Sequence, residues 1–256
     1  MLVIEIQGKR YDLPTKWEDI TCDKLIECCD FVSSNMPEKL KQISFPETDE
    51  DLDKAKEIEM NEEEEFEFYD FYRKWVRFWA DIPEDVSRKL SIESGNGFCG
   101  VLEMFRLTNK FLYLPAENEV EILTHVSYKQ IDYYLPLPGK DVKDRSVPLN
   151  HSTFDEYAEA SMINTQIKKM SKGSMESLIY IAAIFYRTKI TTGNWLWQKE
   201  HIQEYHEYDV KQRAKLFKAM PMTYIWSAYF FLINQLSTSI VDSLNSLKNQ
   251  TAKPAA

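Results

Sequence analysis

Between Phe66 and Trp79 the chain reads FEFYDFYRKWVRFW, and eight of those fourteen residues are aromatic. Phe68, Phe71, Tyr72, Trp75, Phe78 and Trp79 recur at spacings of three and four, which sets them along one side of a helix. Rings at this density carry more burial than any other side chains, so the stripe is first of all a place where a core must gather. It also exceeds what one helix face needs, so a partner surface is the second expectation for it. Pro83 closes the segment.

The start of the chain has the other regular texture, a period of two. With Gln7-Gly8 as a two-residue turn, Ile6 faces Lys9, Ile4 faces Tyr11 and Leu2 faces Leu13, while Glu5 lies opposite Arg10. Gly8 supplies a positive φ, and Pro14 ends the second strand because it has no N–H for the ladder. Thr15-x-x-Glu18 has capping-box spacing, and Thr21 offers a second cap before a helix with Cys22, Leu25, Cys29 and Val32 on one side. Two strands alone cannot bury an apolar face, so the hairpin must lie on helices of this chain or on another subunit. Trp17 would fill the corner between these elements.

Further along, a helix is expected from near Gly97 through FCGVLEMFRLTNKF, with Gly100 as a close-packing point. From Pro115 to Asn150 the texture becomes irregular, with strand-like alternation around Val120 to Val126 and Gln130 to Leu135 and then four turn-forming residues, Pro136, Pro138, Gly139 and Pro148. Thr153-x-x-Glu156 restarts helix with another capping box, and helices are predicted at about 153–170, 174–188, 207–219 and 222–247. No repeat and no clean linker divide the chain. The expected architecture is therefore mainly α with a small β component (α+β), an N-terminal β-hairpin packed on a helical body, in one domain spanning 1–256 with hairpin 2–13, acidic arm 47–67 and irregular excursion 115–150.

The net charge of −10 is local. Segment 47–67 holds 12 acidic and 2 basic residues, and the remaining 29 of each sign balance. Such an arm repels phosphate backbones, so nucleic acid is not expected at that surface; a solvated loop or a contact for a basic partner is.

Chemistry is sparse. His201 and His206 are five residues apart, about 140° round a helix, so they do not share a face as metal-binding pairs do. His125 and His151 stand apart from other ligand types, and DEDLD at 49–53 lacks the glycine and distal glutamate of a calcium loop. SGNGFCG at 94–100 has no phosphate-loop Lys or Ser/Thr. Cys22, Cys28, Cys29 and Cys99 show no zinc spacing and are read as reduced, packed thiols. Paired carboxylates such as Asp155 and Glu156 sit in no recognisable arrangement. No catalytic, cofactor-binding or metal residue is assigned, no cofactor is expected, and the balance falls toward a protein that binds protein. The start of the chain does not read as a signal peptide. The apolar run in MTYIWSAYFFLINQL stops at Asn234 and Gln235, short of the roughly 20 residues a bilayer crossing needs. Leu236, Ile240, Leu244 and Leu247 continue at helical spacing, so a long helix in the core or at a subunit interface is expected instead.

The opening IEIQGKRYDLPTKWEDITCDKLIECCDF, with Pro14, Trp17, Glu18, Ile20 and Thr21, resembles the start of tailed-bacteriophage tail or baseplate assembly proteins, including those of phages infecting Bacteroidetes. Later segments are similar too: Phe154 and Glu156 opening a helix, an apolar helix from Leu178 to Tyr186, Tyr208-Asp209 with Arg213, and Met220-Pro221 before Phe230 and Phe231. About half the chain takes part, as scattered matches without a catalytic signature. The resemblance implies a non-enzymatic virion structural protein, in the neck, tail, baseplate or packaged contents, found in the virion and in the host cytoplasm during assembly. Its partners would be other phage structural proteins, in a homo-oligomer or larger assembly. An assembly chaperone absent from the mature particle is the alternative, and an enzyme or regulatory domain without a recognisable motif the next. The expected contact surfaces are the hairpin with Ile4, Ile6, Tyr11 and Trp17, and the stripe with Phe68, Phe71, Tyr72, Trp75 and Trp79.

Overall fold

In a computed structural model, residues 1–42, 61–92, 100–136, 139–140, 146–147, 154–167, 169–193 and 197–251 are described. The architecture is α+β, helices joined by small antiparallel strand pairs. Contacts group the chain into two compact units, residues 1–20 with 24–114, and residues 21–23 with 115–256. The main changeover falls at Leu114–Pro115, where the sequence texture shifts although no linker marks it.

In the first unit, β1 (Leu2–Ile6) and β2 (Lys9–Leu13) pair in the register predicted from the alternation, Ile4 on Tyr11 and Glu5 on Arg10. The turn needs a left-handed conformation twice, at Gln7 (φ 54) and Gly8 (φ 76), so a non-glycine residue carries part of it. The expected Thr15/Glu18 capping box does not form. Trp17–Asp19 is instead a short 3-10 turn closed by Asp19, whose carboxylate accepts the N–H groups of Thr15 (3.0 Å) and Lys16 (3.1 Å) and faces the Met1 amino group at 2.9 Å. Reaching back from the end of so short a turn, Asp19 is the carboxylate in range; Glu18 points to solvent beside Lys16.

Helix α1 (Cys22–Asn35) buries Cys22, Leu25 and Cys28, one position away from the expected Cys29 row; α2 (Glu38–Gln42) follows. Helix α3 (Glu62–Ala80) starts at a capping box the sequence reading passed over: Asn61 Oδ1 accepts the Glu64 N–H (2.9 Å) and Glu64 Oε2 accepts the Asn61 N–H (3.1 Å). Four glutamates fill its first turn, where the helix dipole favours negative charge. It ends on Asp81 in the left-handed region (φ 52), two residues ahead of Pro83. After α4 (Glu84–Ser87), α5 (Val101–Thr108) begins at its N-cap, the buried Gly100, and gives way to a 3-10 turn at Asn109–Leu112. Both β2 and α5 pack on α3.

In the second unit, β3 (His125–Tyr128) pairs with β4 (Ile131–Tyr134) and β5 (Gly139–Lys140) with β6 (Ser146–Val147). The alternation around Val120 belongs to irregular chain after a 3-10 turn rather than to a strand. Helix α6 (Phe154–Asn164) packs on α7 (Lys172–Phe185), which is apolar nearly all round and buried from Leu178 to Phe185 except at Tyr180. Its cap is Ser171, whose hydroxyl accepts the Ser174 N–H. The chain leaves α7 extended: Arg187 bridges Tyr134 of β4 through N–H···O bonds of 2.8 and 3.1 Å, then β7 (Lys189–Thr192) turns into β8 (Lys199–Ile202). Helices α8 (Glu207–Phe217) and α9 (Met222–Thr251) complete the packing on α7. Thr21–Asp23 belong here because the Cys22 and Asp23 N–H groups donate to the carbonyls of Met220 (3.1 Å) and Lys218 (2.8 Å). Those are helix-start donors that have no partner within α1.

Candidate functional site

The expected contact residues fall on two levels of exposure. Ile4, Trp17, Phe68, Phe71, Trp75 and Trp79 are buried, while Ile6, Tyr11 and Tyr72 are half-buried. The stripe is a core surrounded on several sides, which is why one face could not hold its rings. Phe31 of α1 lies 6.2 Å from Phe71 and 5.0 Å from Phe78, and Phe105 of α5 lies 4.2 Å from Tyr72. Phe111 joins the two groups predicted apart, 4.8 Å from Trp79 and 5.0 Å from Trp17. The Trp75 indole N–H donates to Thr108 Oγ1 (2.7 Å), and that hydroxyl donates to the Met104 carbonyl (2.9 Å). Burial pushes the Tyr72 hydroxyl up to about 12. On the far face of the hairpin Val3 stays 56% exposed.

A cleft of about 540 Å³ runs between α1 and α3, lined by Lys24, Phe31, Lys74, Arg77, Phe78 and others. Lys24 sits 4.2 Å above the Phe78 ring. Each cation also faces a carboxylate: Lys24 with Glu27 at 3.4 Å, Lys74 with Asp70 at 2.8 Å, Arg77 with Glu84 at 3.1 Å. Its charges are matched internally, which leaves little to select an anion.

The second unit holds a polar network that sequence reasoning missed. Glu156, expected to cap its own helix, is buried and paired with Arg187 at 2.8 Å. Thr153, its proposed capping partner, lies outside the described residues. Arg213 is buried too and donates from Nε to the Ala183 carbonyl at 2.9 Å. Burial pulls both guanidinium groups below their ordinary value, and the carboxylates of Glu156 and Asp209 oppose this. Tyr186 donates its hydroxyl to the Leu123 carbonyl (2.8 Å) beside Ser227, which accepts the Leu123 N–H (2.6 Å). Tyr205 donates to Glu159. Each of these groups bonds within the second unit, to a side chain or to a backbone carbonyl.

Sequence reasoning also passed over the β7–β8 hairpin. Every residue of β7 is exposed, Ile190 is 38% exposed, and Trp197 just before β8 is 78% exposed. Gly193 (φ 109) is required at the turn, since a Cβ there would meet the Trp197 carbonyl. β-Branched Ile190, Thr191 and Thr192 ahead of Gly193 were the available signal.

His125 stacks on Tyr134 at 4.7 Å and faces Asp132 at 3.3 Å, while His206 precedes α8; the His201 side chain and His151 lie outside the described residues. Among the described residues there is no group of three or more His, Cys, Asp or Glu arranged to hold a metal ion. Cys22 and Cys28 are buried thiols and Cys29 half-buried, its thiol pushed up to about 11 by burial. No helix of the described residues is long and apolar enough to cross a membrane. Residues 47–60 of the acidic arm and 94–99 of the glycine cluster lie outside the described residues. Compared with known proteins, the chain matches no family model, no curated protein and no solved structure.

Proposed function

We propose that this chain is a non-enzymatic structural subunit of a tailed-phage particle that works through protein contacts. The observation that carries the contact part is Trp197, a 78% exposed tryptophan on a two-stranded ribbon that has Ile190 exposed as well. Tryptophan is among the residue types that dominate binding energy at protein interfaces, and a two-stranded ribbon gains stability when a partner covers it. The particle part rests on the resemblance of the opening segment to tail and baseplate assembly proteins. The concentration of negative charge in 47–67 favours a second reading, an assembly chaperone that shields a basic surface and leaves before the particle is finished.

Quantitative mass spectrometry of purified particles beside the lysate of the producing cells separates the two. A fixed copy number in particles supports the structural subunit. Presence in the lysate alone excludes it and leaves the chaperone. Exchange of Trp197→Ala is expected to lower incorporation while the purified chain keeps its far-UV circular dichroism.

A further inference from the structure

We propose that β1 is a self-pairing edge, which takes β1 of a second copy of this chain in antiparallel orientation and joins the two hairpins into one sheet. Among the described residues β1 has β2 on one side and no strand on the other, while β2 carries the packing on α3. The two-residue turn makes Ile6 and Lys9 the closing hydrogen-bonded pair, and bonded and unbonded pairs then alternate along the ladder. Ile4 and Leu2 therefore bond Tyr11 and Leu13, whereas Val3 and Glu5 turn their N–H and C=O groups away from β2. No hydrogen bond outside the strand pair takes these groups among the described residues. Both residues are exposed, Val3 at 56%. Exposed sheet edges are normally guarded by lysine, proline or a bulge. The strand LVIEI has neither Lys nor Pro, its register runs through five pairs without a bulge, and Val and Ile are strong strand formers.

The register names the partner. Apolar residues stand at Leu2, Ile4 and Ile6, evenly about Ile4. A two-fold axis through Ile4, perpendicular to the sheet, sets Val3 opposite Glu5 of the second copy and Leu2 opposite its Ile6, the self-complementarity an isologous interface requires. Val3 and Glu5 then exchange N–H···O bonds with Glu5 and Val3 of the second copy. The side that carries Leu2, Ile4 and Ile6 stays continuous across the join, where Leu2 and Ile6, half-buried in the single chain, gain apolar neighbours. Charge agrees with this register. Glu5 is the only charged side chain on β1, and here it lies beside Val3; an axis at Glu5 would set two carboxylates together. A foreign strand would need the same alternation with no acidic residue opposite Glu5, and β1 itself meets both conditions. A contact of five residues a side is small beside the about 20–30 of a standard interface, so the pairing follows concentration.

The pairing stands apart from the Trp197 ribbon and from the particle reading, and is tested on the purified full chain. Light scattering from about 1 to 300 µM is expected to give a mass rising toward twice that of the chain. Exposed Val3 lets the register be read by charge. Val3→Glu meets Glu5 of the second copy and should return the chain to its single mass, whereas Val3→Lys meets it as a counter-charge and should move the rise to concentrations about twofold lower or more. Both exchanges also meet Asp12 across their own hairpin, so a readout that leaves charge alone accompanies them. Under mild oxidation a Val3→Cys chain should link to a Glu5→Cys chain, and each should link to itself far less, with the unaltered chain as control for its native thiols. The two Val3 positions lie diagonally across the join, too far apart for a disulfide. A single-chain mass at every concentration overturns the proposal and leaves the edge to solvent or a foreign strand. Self-linking of Val3→Cys as readily as its linking to Glu5→Cys overturns it too.

Discussion

Glu156 and Arg187 meet at 2.8 Å with their side chains 0% and 2% exposed, one on α6 and the other in the extended chain that follows α7. A charge held this far from water is tolerated because its partner is there, and removing one partner strands the other. Glu156→Ala is expected to lower unfolding free energy by about 3–5 kcal/mol. The double exchange Glu156→Leu with Arg187→Met should recover most of that loss. Urea titrations of the single and double variants check this, and equal losses in both would show that the pair is not the source.

The Trp75 indole reaches Thr108 inside the first unit. Thr108→Val keeps the shape but leaves the indole N–H without its acceptor, a loss of about 1–3 kcal/mol. Serine at the same position keeps the hydroxyl, so Thr108→Ser should lose less of the urea midpoint than Thr108→Val.

Asp19 responds to acid. Burial alone would raise its carboxyl, but the Met1 amino group and the N–H groups of Thr15 and Lys16 outweigh that and hold it below its ordinary value of 3.8. A lowered folded-state value contributes stability above the unfolded value, and that contribution disappears as pH falls through the folded one. Asp19→Asn should therefore unfold at lower urea than the parent at pH 7. The two urea midpoints should converge below about pH 3.

The first turn of the chain leaves room for improvement. Gln7 carries a left-handed conformation that asparagine adopts more readily, so Gln7→Asn should raise stability by about 0.5–1 kcal/mol. Gly8→Ala should lower it by about 1 kcal/mol or more through the backbone, because nothing lies within 4 Å of the added Cβ. Thermal unfolding of both variants reads the two signs.

Features with a short period were legible from residue spacing. The β1–β2 register follows from alternation around Gly8, and α3 follows from rings three and four apart. What failed was the choice among neighbours with similar chemistry. Cys28 and Cys29 are equally apolar, and only the direction of approach of the packing elements buries the first more deeply. Glu156 has capping spacing from Thr153, and that spacing gives no sign of the guanidinium, distant in sequence, that its carboxylate meets. The aromatic stripe was legible as a helix, but the share of its rings absorbed within the chain depends on Phe31, Phe105 and Phe111, which arrive from elsewhere. Exposure of Trp197 is likewise a tertiary property, since a tryptophan in sequence reads first as core.

The carbonyls of Met220 and Lys218 that receive the Cys22 and Asp23 N–H groups are made 198 and 195 residues after their donors. During synthesis the opening of α1 must wait with water on its N–H groups until the end of α8 has emerged. Contacts so distant along the chain form slowly, so the second unit closes on its earliest residues only once α8 is in place.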